Sequence, residues 1–328
     1  MKTKKLLALV LAFALVAAIA VPSYAVGREI RIKTADDLRK LAAKCRLDTY
    51  SQGLTVFLDN DISLGNEPFE PFASFSGVFD GRGHTISGVT LATDGAHQGF
   101  FRYIQEGGWV KDLNIEGTVN PSNIRTEVGG LVGTNYALVE NCSFSGEVHG
   151  LEKVGGIAGY NCGTVRDSSF TGSVAGKRYT GGIAGYSEGL IDGCTNNGEV
   201  NTTIETAPME IDSLSLSDLT DMTVVSADDS STVTDSGGIV GLSTGIVQSC
   251  LNTGTVGYQH YGYNVGGIAG RQSGYINGCE NRGDVRGRKD IGGIVGQMEP
   301  YLSVSETGNL IDELKLLSAS ISVAMAHL

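Results

Sequence analysis

The pattern Gly-Gly-[Ile/Leu]-[Val/Ala]-Gly occurs six times in this chain, beginning at Gly129, Gly155, Gly181, Gly237, Gly266 and Gly292, at intervals of 26, 26, 56, 29 and 26 residues. A unit of roughly 20 to 50 residues cannot bury its own hydrophobic face, so units recurring at that period stack into an array in which each covers the next. The spacing therefore fixes the fold class as a solenoid before any residue chemistry is considered.

Aligned on the first glycine, the apolar residues fall into columns. One is Leu131, Ile157, Ile183, Ile239, Ile268 and Ile294; a second is Val139, Val165, Ile191, Val247 and Ile276; a third is Val148, Val174, Val200, Val256 and Val285. The apolar stretches are short, rich in Val and Ile and separated by glycine, which disfavours helix and reads as three short strands with corners per unit. Three strands in 26 residues suit one coil of a right-handed parallel β-helix, whose neighbouring coils lie ~4.8 Å apart. The expectation is an all-β solenoid of about eight coils spanning residues 26–301.

Two further columns read as ladders. Leu113, Cys142, Ser168, Cys194, Cys250 and Cys279 share one register. Disulfide Cα separations begin near ~4.4 Å, so bridges between coils are conceivable, but neighbours in register point the same way and free, buried thiols are favoured. Phe144 and Phe170 share a register with Asn196, Asn252 and Asn281, a pattern expected of an aromatic stack continued by an amide ladder.

Residues 1–25 read as a secretory signal: Lys2, Lys4 and Lys5, an apolar run from Leu6 to Val21, then Ser23-Tyr24-Ala25 as a cleavage site. No later segment is apolar enough to span a bilayer. The formal net charge of −12 becomes −15 once those three lysines leave with the signal, which disfavours a nucleic-acid partner. Six cysteines in 328 residues are too few for a disulfide scaffold, so aliphatic stacking carries the stability. An exported location, secreted or at the cell surface, is expected.

Both ends of a solenoid expose strand edges that need cover. Thr34-Ala-Asp-Asp37 has the form of a capping box, and Leu38, Leu41, Ala42 and Cys45 share one helical face, so an N-terminal capping helix is expected at about 34–46. At the other end Pro300 interrupts the corner pattern. Leu310, Leu314, Leu317, Ile321, Ala324 and Leu328 then follow heptad spacing, which predicts a C-terminal helix over 302–328, either a second cap or the start of a self-associating coiled coil.

The run Phe75-Ser-Gly-Val-Phe-Asp-Gly-Arg-Gly-His-Thr-Ile-Ser-Gly-Val-Thr-Leu91 resembles a segment that opens right-handed β-helix domains of bacterial surface proteins, and the six glycine units are similar to the GLUG motif. The similarity covers roughly residues 30 to 301. GLUG repeats occur in secreted or surface-displayed bacterial proteins, including non-catalytic regions of some IgA-specific metallopeptidases, so the resemblance implies display and adhesion and names no reaction.

Two places break the register. The 56-residue interval holds an insertion at about 202–232, and residues 205–235 carry eight acidic residues with no Lys or Arg. It reads as a solvated loop, a partner contact or a cation site, although no D-x-[DN]-x-[DN]-G spacing is present. A shorter insertion places Tyr258, His260, Tyr261 and Tyr263 at one corner, where aromatic rings either pack on the next coil or bind a sugar or a protein partner. These four are the candidate ligand-binding residues.

No catalytic residue, metal site or cofactor is indicated. The register before the cysteine ladder, Asp112, Asn141, Asp167, Gly193, Ser249 and Gly278, offers no paired acids on adjacent coils. The five histidines are scattered, no H-E-x-x-H or G-x-S-x-G is present, and His84 reads as a turn cap. The expected function is a non-catalytic adhesin or stalk that displays loops to glycan, host or protein partners. The alternatives are a carbohydrate-active β-helix enzyme, since lyases and hydrolases share the architecture, or the repeat region of a larger metallopeptidase.

Overall fold

The computed structural model describes residues 28–65, 67–203 and 233–299. The expected signal peptide, nearly all of the acidic insertion, Pro300 and the expected C-terminal helix lie outside the described residues.

The described chain is a parallel β-helix, with crossovers of the right-handed type. A representative coil has four strands, not the three expected: Val132–Asn135, Leu138–Glu140, Ser143–His149 and Glu152–Gly155. Their equivalents stack into four parallel sheets, here faces one to four in that order. Face two has nine strands, from Arg28–Ile32 to Tyr275–Asn277, so the described solenoid has nine layers, close to the expected count of about eight.

Hidden corners explain the missing strand. Asp112, Asn141, Asp167, Gly193, Ser249 and Gly278, which join faces two and three, all have φ between 47° and 64°. Asp and Asn tolerate this left-handed conformation through local hydrogen bonds and Gly through its missing Cβ, which accounts for the composition of that column. A second left-handed column, Glu127, Lys153, Tyr179, Asp235, Asn264 and Asp290, kinks each strand of face four. Neither turn needs the proline or paired glycine by which turns are usually recognised.

Inside, the columns are ladders. Val139 pairs with Val165, Val165 with Ile191 and Ile191 with Val247. All four are fully buried. Phe144 and Phe170 stack with centroids 6.4 Å apart, and Asn196, Asn252 and Asn281 continue their register with amide bonds of 2.7 and 2.8 Å from coil to coil. A second polar ladder, absent from the sequence reading, runs on face one, where Asn135 donates to Asn161 at 2.8 Å and Asn161 to Ser187 at 3.0 Å. The cysteines in the ladder are free thiols; burial pushes that of Cys142 up to about 12, as expected of a thiol used as a small hydrophobe.

The motif glycines mark where coils touch. A methyl group on Gly130 or Gly156 would overlap the rings of Phe144 or Phe170. One on Gly159 would lie 2.5 Å from Val128 N and 2.8 Å from Glu127 Cα, because this glycine admits the left-handed kink of the preceding coil. At the N-terminal end helix α1, Ala35–Lys44, buries Leu38, Leu41 and Ala42 against the core. Its capping box is complete: Thr34 Oγ1 accepts from Asp37 N at 3.2 Å and Asp37 Oδ2 from Thr34 N at 3.1 Å. His84 Nδ1 lies 3.0 Å from Asp61 Oδ1, which also accepts from Thr85 N, so the histidine secures a turn.

Candidate functional site

Interior columns repeat one residue type because every coil must fit the next. Face one breaks that uniformity on its outward side. Each strand there sends one side chain outward, and the left-handed column of face four turns its side chains onto the same strip. Coil by coil the pairs are His97 with Tyr103, Glu127 with Thr134, Lys153 with Tyr160, Tyr179 with Tyr186, and Asp235 with Arg271 of the following coil.

Glu127 sits at the centre of the first part of the strip, its side chain only 14% exposed. It is in contact with His97 Nδ1, accepts from Lys153 Nζ at 2.8 Å and accepts from Thr134 Oγ1 at 3.1 Å. Burial alone would raise its pKa; the hydrogen bonds and charges of His97 and Lys153 outweigh burial and hold the carboxyl at about 2. The Lys153 ammonium also lies 4.7 Å from the ring centre of Tyr160, which stacks on Tyr186 at 5.2 Å. Burial, with Cys162 and Glu188 bonded nearby, pushes the Tyr160 phenol up, and burial leads the rise of Tyr186 to about 12. Tyr186 donates to Glu188 at 2.8 Å.

Further along, Asp235 is 1% exposed and receives Arg271 through Nε at 2.9 Å and Nη2 at 3.0 Å, with Asn264 donating at 2.8 Å. This two-pronged pairing is rigid and fully used. The strip as a whole offers aromatic edges, phenols, carboxylates and ammonium or guanidinium groups held in place from below, and every ionised group named is paired.

Because Glu127 is depressed in the fold, its contribution is present above the unfolded carboxylate pKa and is lost as pH falls from near 4.5 towards 2. Glu127→Gln should cost about 2 to 3 kcal/mol at pH 7 and nearly nothing at pH 2, measured by denaturant unfolding at both values.

The residues singled out from the sequence sit elsewhere. Tyr258 and Tyr261 form an antiparallel bridge that closes a small turn, His260 has a left-handed φ of 62°, and Tyr263 opens a strand of face four. The Tyr263 ring lies 5.8 Å from the Arg288 guanidinium. His260 shares a shallow groove with Gln259, Val285, Arg286, Gly287 and Ile291. The corner is thus a turn beside basic residues of the last coil, and Tyr263 immediately precedes Asn264 of the strip. What the sequence reading missed is the position two before each Gly-Gly, which reads Glu127, Lys153, Tyr179, Asp235, Asn264 and Asp290 and is never aliphatic.

Among known proteins, residues 125–148 match the family model of the GLUG motif, so the glycine units carry that motif within a parallel β-helix. Halomucin of Haloquadratum walsbyi is 32% identical over 95 residues, 27% of this chain and 1% of that protein. A protein named as a Gly-rich membrane protein in Evansella cellulosilytica is 36% identical over 93 residues, again 27% of this chain and 11% of its own length. The chain thus spans a small fraction of the curated relatives it matches. No solved structure matches it.

Proposed function

We propose that this chain is an exported, non-catalytic β-helical module of the cell surface whose face-one strip binds glycan. The carrying observation is the contrast between core columns that repeat and a strip whose side chains vary along the solenoid, from Glu127 and Thr134 through Lys153, Tyr160 and Tyr186 to Asp235 and Arg271, with its ionised groups held by pairing. Aromatic side chains beside fixed hydrogen-bonding groups suit sugar rings, which present apolar faces and hydroxyl edges. The names of the two relatives, Halomucin and a Gly-rich membrane protein, support a surface location. A Glu127 held ionised, with its lone pairs engaged by Lys153, Thr134 and His97, is ill suited to donate a proton as a glycosidase acid must, and this supports a binding role.

The test is a glycan array probed with the exported protein and with Tyr160→Ala/Lys153→Ala. The reading expects binding that the double variant loses at unchanged fold. Release of reducing or unsaturated ends from a polysaccharide panel would replace it with the enzyme reading, and intact folded protein binding nothing would leave a spacer.

A further inference from the structure

Face two carries an outward feature that neither stacking nor the strip explains. Each three-residue strand has its middle residue inside and its first and third outside. The first positions, in register, form an apolar stripe: Val78, Trp109, Leu138, Leu190, Ile246 and Tyr275, interrupted once by Thr164. Ile246 is 43% and Tyr275 57% exposed. Coil stacking does not demand this, because the matching outward column of face three reads Asn114, Ser143, Ser169, Thr195, Leu251 and Glu280, with one apolar member.

Beside the stripe, the third positions alternate in sign: Asp80, Lys111, Glu140, Arg166 and Asp192, followed by neutral Gln248. Lys111 lies 3.2 Å from Asp80, and Arg166 lies 3.4 Å from Glu140 and 3.8 Å from Asp192. Such an alternation decides which partner fits. A two-fold axis along the strand direction reverses the coil order and lays stripe on stripe and charge column on charge column. If the axis passes between the coils of Glu140 and Arg166, Glu140 faces Arg166 of the second copy and Lys111 faces Asp192 of the second copy. Trp109 then meets Leu190 of the second copy, and Val78 meets Ile246 of the second copy. An axis along the solenoid instead sets apolar residues on charges, and an axis through a coil sets like charges together.

We propose that face two is an isologous contact between two copies of this chain running antiparallel, centred between the coils of Glu140 and Arg166. Five coil steps of ~4.8 Å and a strand width of ~10 Å give a flat patch of roughly 240 Å² per partner, well below the ~800 Å² of a standard interface. The contact is therefore weak, and its occupancy rises with the local density of copies.

Sedimentation equilibrium up to about 1 mM tests it, with circular dichroism melting to verify the fold. Lys111→Glu should weaken dimerisation at least ~10-fold, Leu190→Glu should abolish it, and Lys111→Glu/Asp192→Lys should restore it to within ~3-fold of the parent. Within one chain residues 111 and 192 are three coils, ~14 Å, apart, so rescue can arise only between copies. A protein that stays monomeric to that concentration, or a double variant no better than Lys111→Glu, overturns the assignment. Neither result bears on glycan binding at face one.

Discussion

Gly267→Ala should destabilise the protein by more than about 4 kcal/mol, while Gly293→Ala, at the same motif position one coil later, should change stability by less than about 1 kcal/mol. A Cβ on Gly267 would strike the carbonyl of Gly293 and the amide of Asn281, and neither can move without shifting a whole coil. Among the described residues, a Cβ on Gly293 meets nothing within 4 Å. Both glycines lie in the same five-residue pattern, so local backbone preference cannot separate them; the neighbouring coil does. Urea unfolding of the two variants is the measurement. Equal losses would mean that the motif glycines serve chain conformation and not stacking.

The second large effect is expected in the amide ladder. Asn252 accepts from Asn196 Nδ2 at 2.7 Å, donates to Asn281 Oδ1 at 2.8 Å and to Gly254 O at 2.9 Å, and accepts from Gly254 N at 3.3 Å. It is fully buried. Asn252→Ala removes all four bonds and leaves a void, so a loss of about 3 to 4 kcal/mol is expected. Asn281→Ala, in the half-buried last coil, should cost about 1 kcal/mol, because water replaces the lost partners. The ratio between the two, read from thermal unfolding, reports how far the ladder works as a buried network.

Much of this architecture was legible in the sequence because a solenoid turns sequence spacing into spatial contact. A spacing of 26 residues placed Cys142 beneath Ser168 and Phe144 beneath Phe170 without any knowledge of strand geometry. The capping helix was legible for a different reason, since Thr34 and Asp37 bond locally and their signature is self-contained. The fourth strand was not. Its kink is built on left-handed Glu127, Lys153 and Tyr179, residues that ordinarily avoid that conformation, and coil packing imposes it.

The face-one strip escaped for a related reason. Columns that repeat a residue type announce themselves in an alignment, whereas a column reading Glu, Lys, Tyr, Asp looks like unconstrained surface until its members are seen to bond across coils. Glu127 and Lys153, opposite in sign and 26 residues apart, were the available signal. The tyrosine-rich corner drew attention through local composition instead. Composition within one loop says little about which rings face one another.

In this fold sequence periods become coil steps. Spin labels at Glu116 and Arg282, on the outward side of face three, measure this directly. These positions are 166 residues apart in the chain and five coils apart in the sheet. A narrow distance distribution centred at about 24 Å plus the reach of the labels is expected. A broad distribution, or a centre beyond about 40 Å, would contradict it.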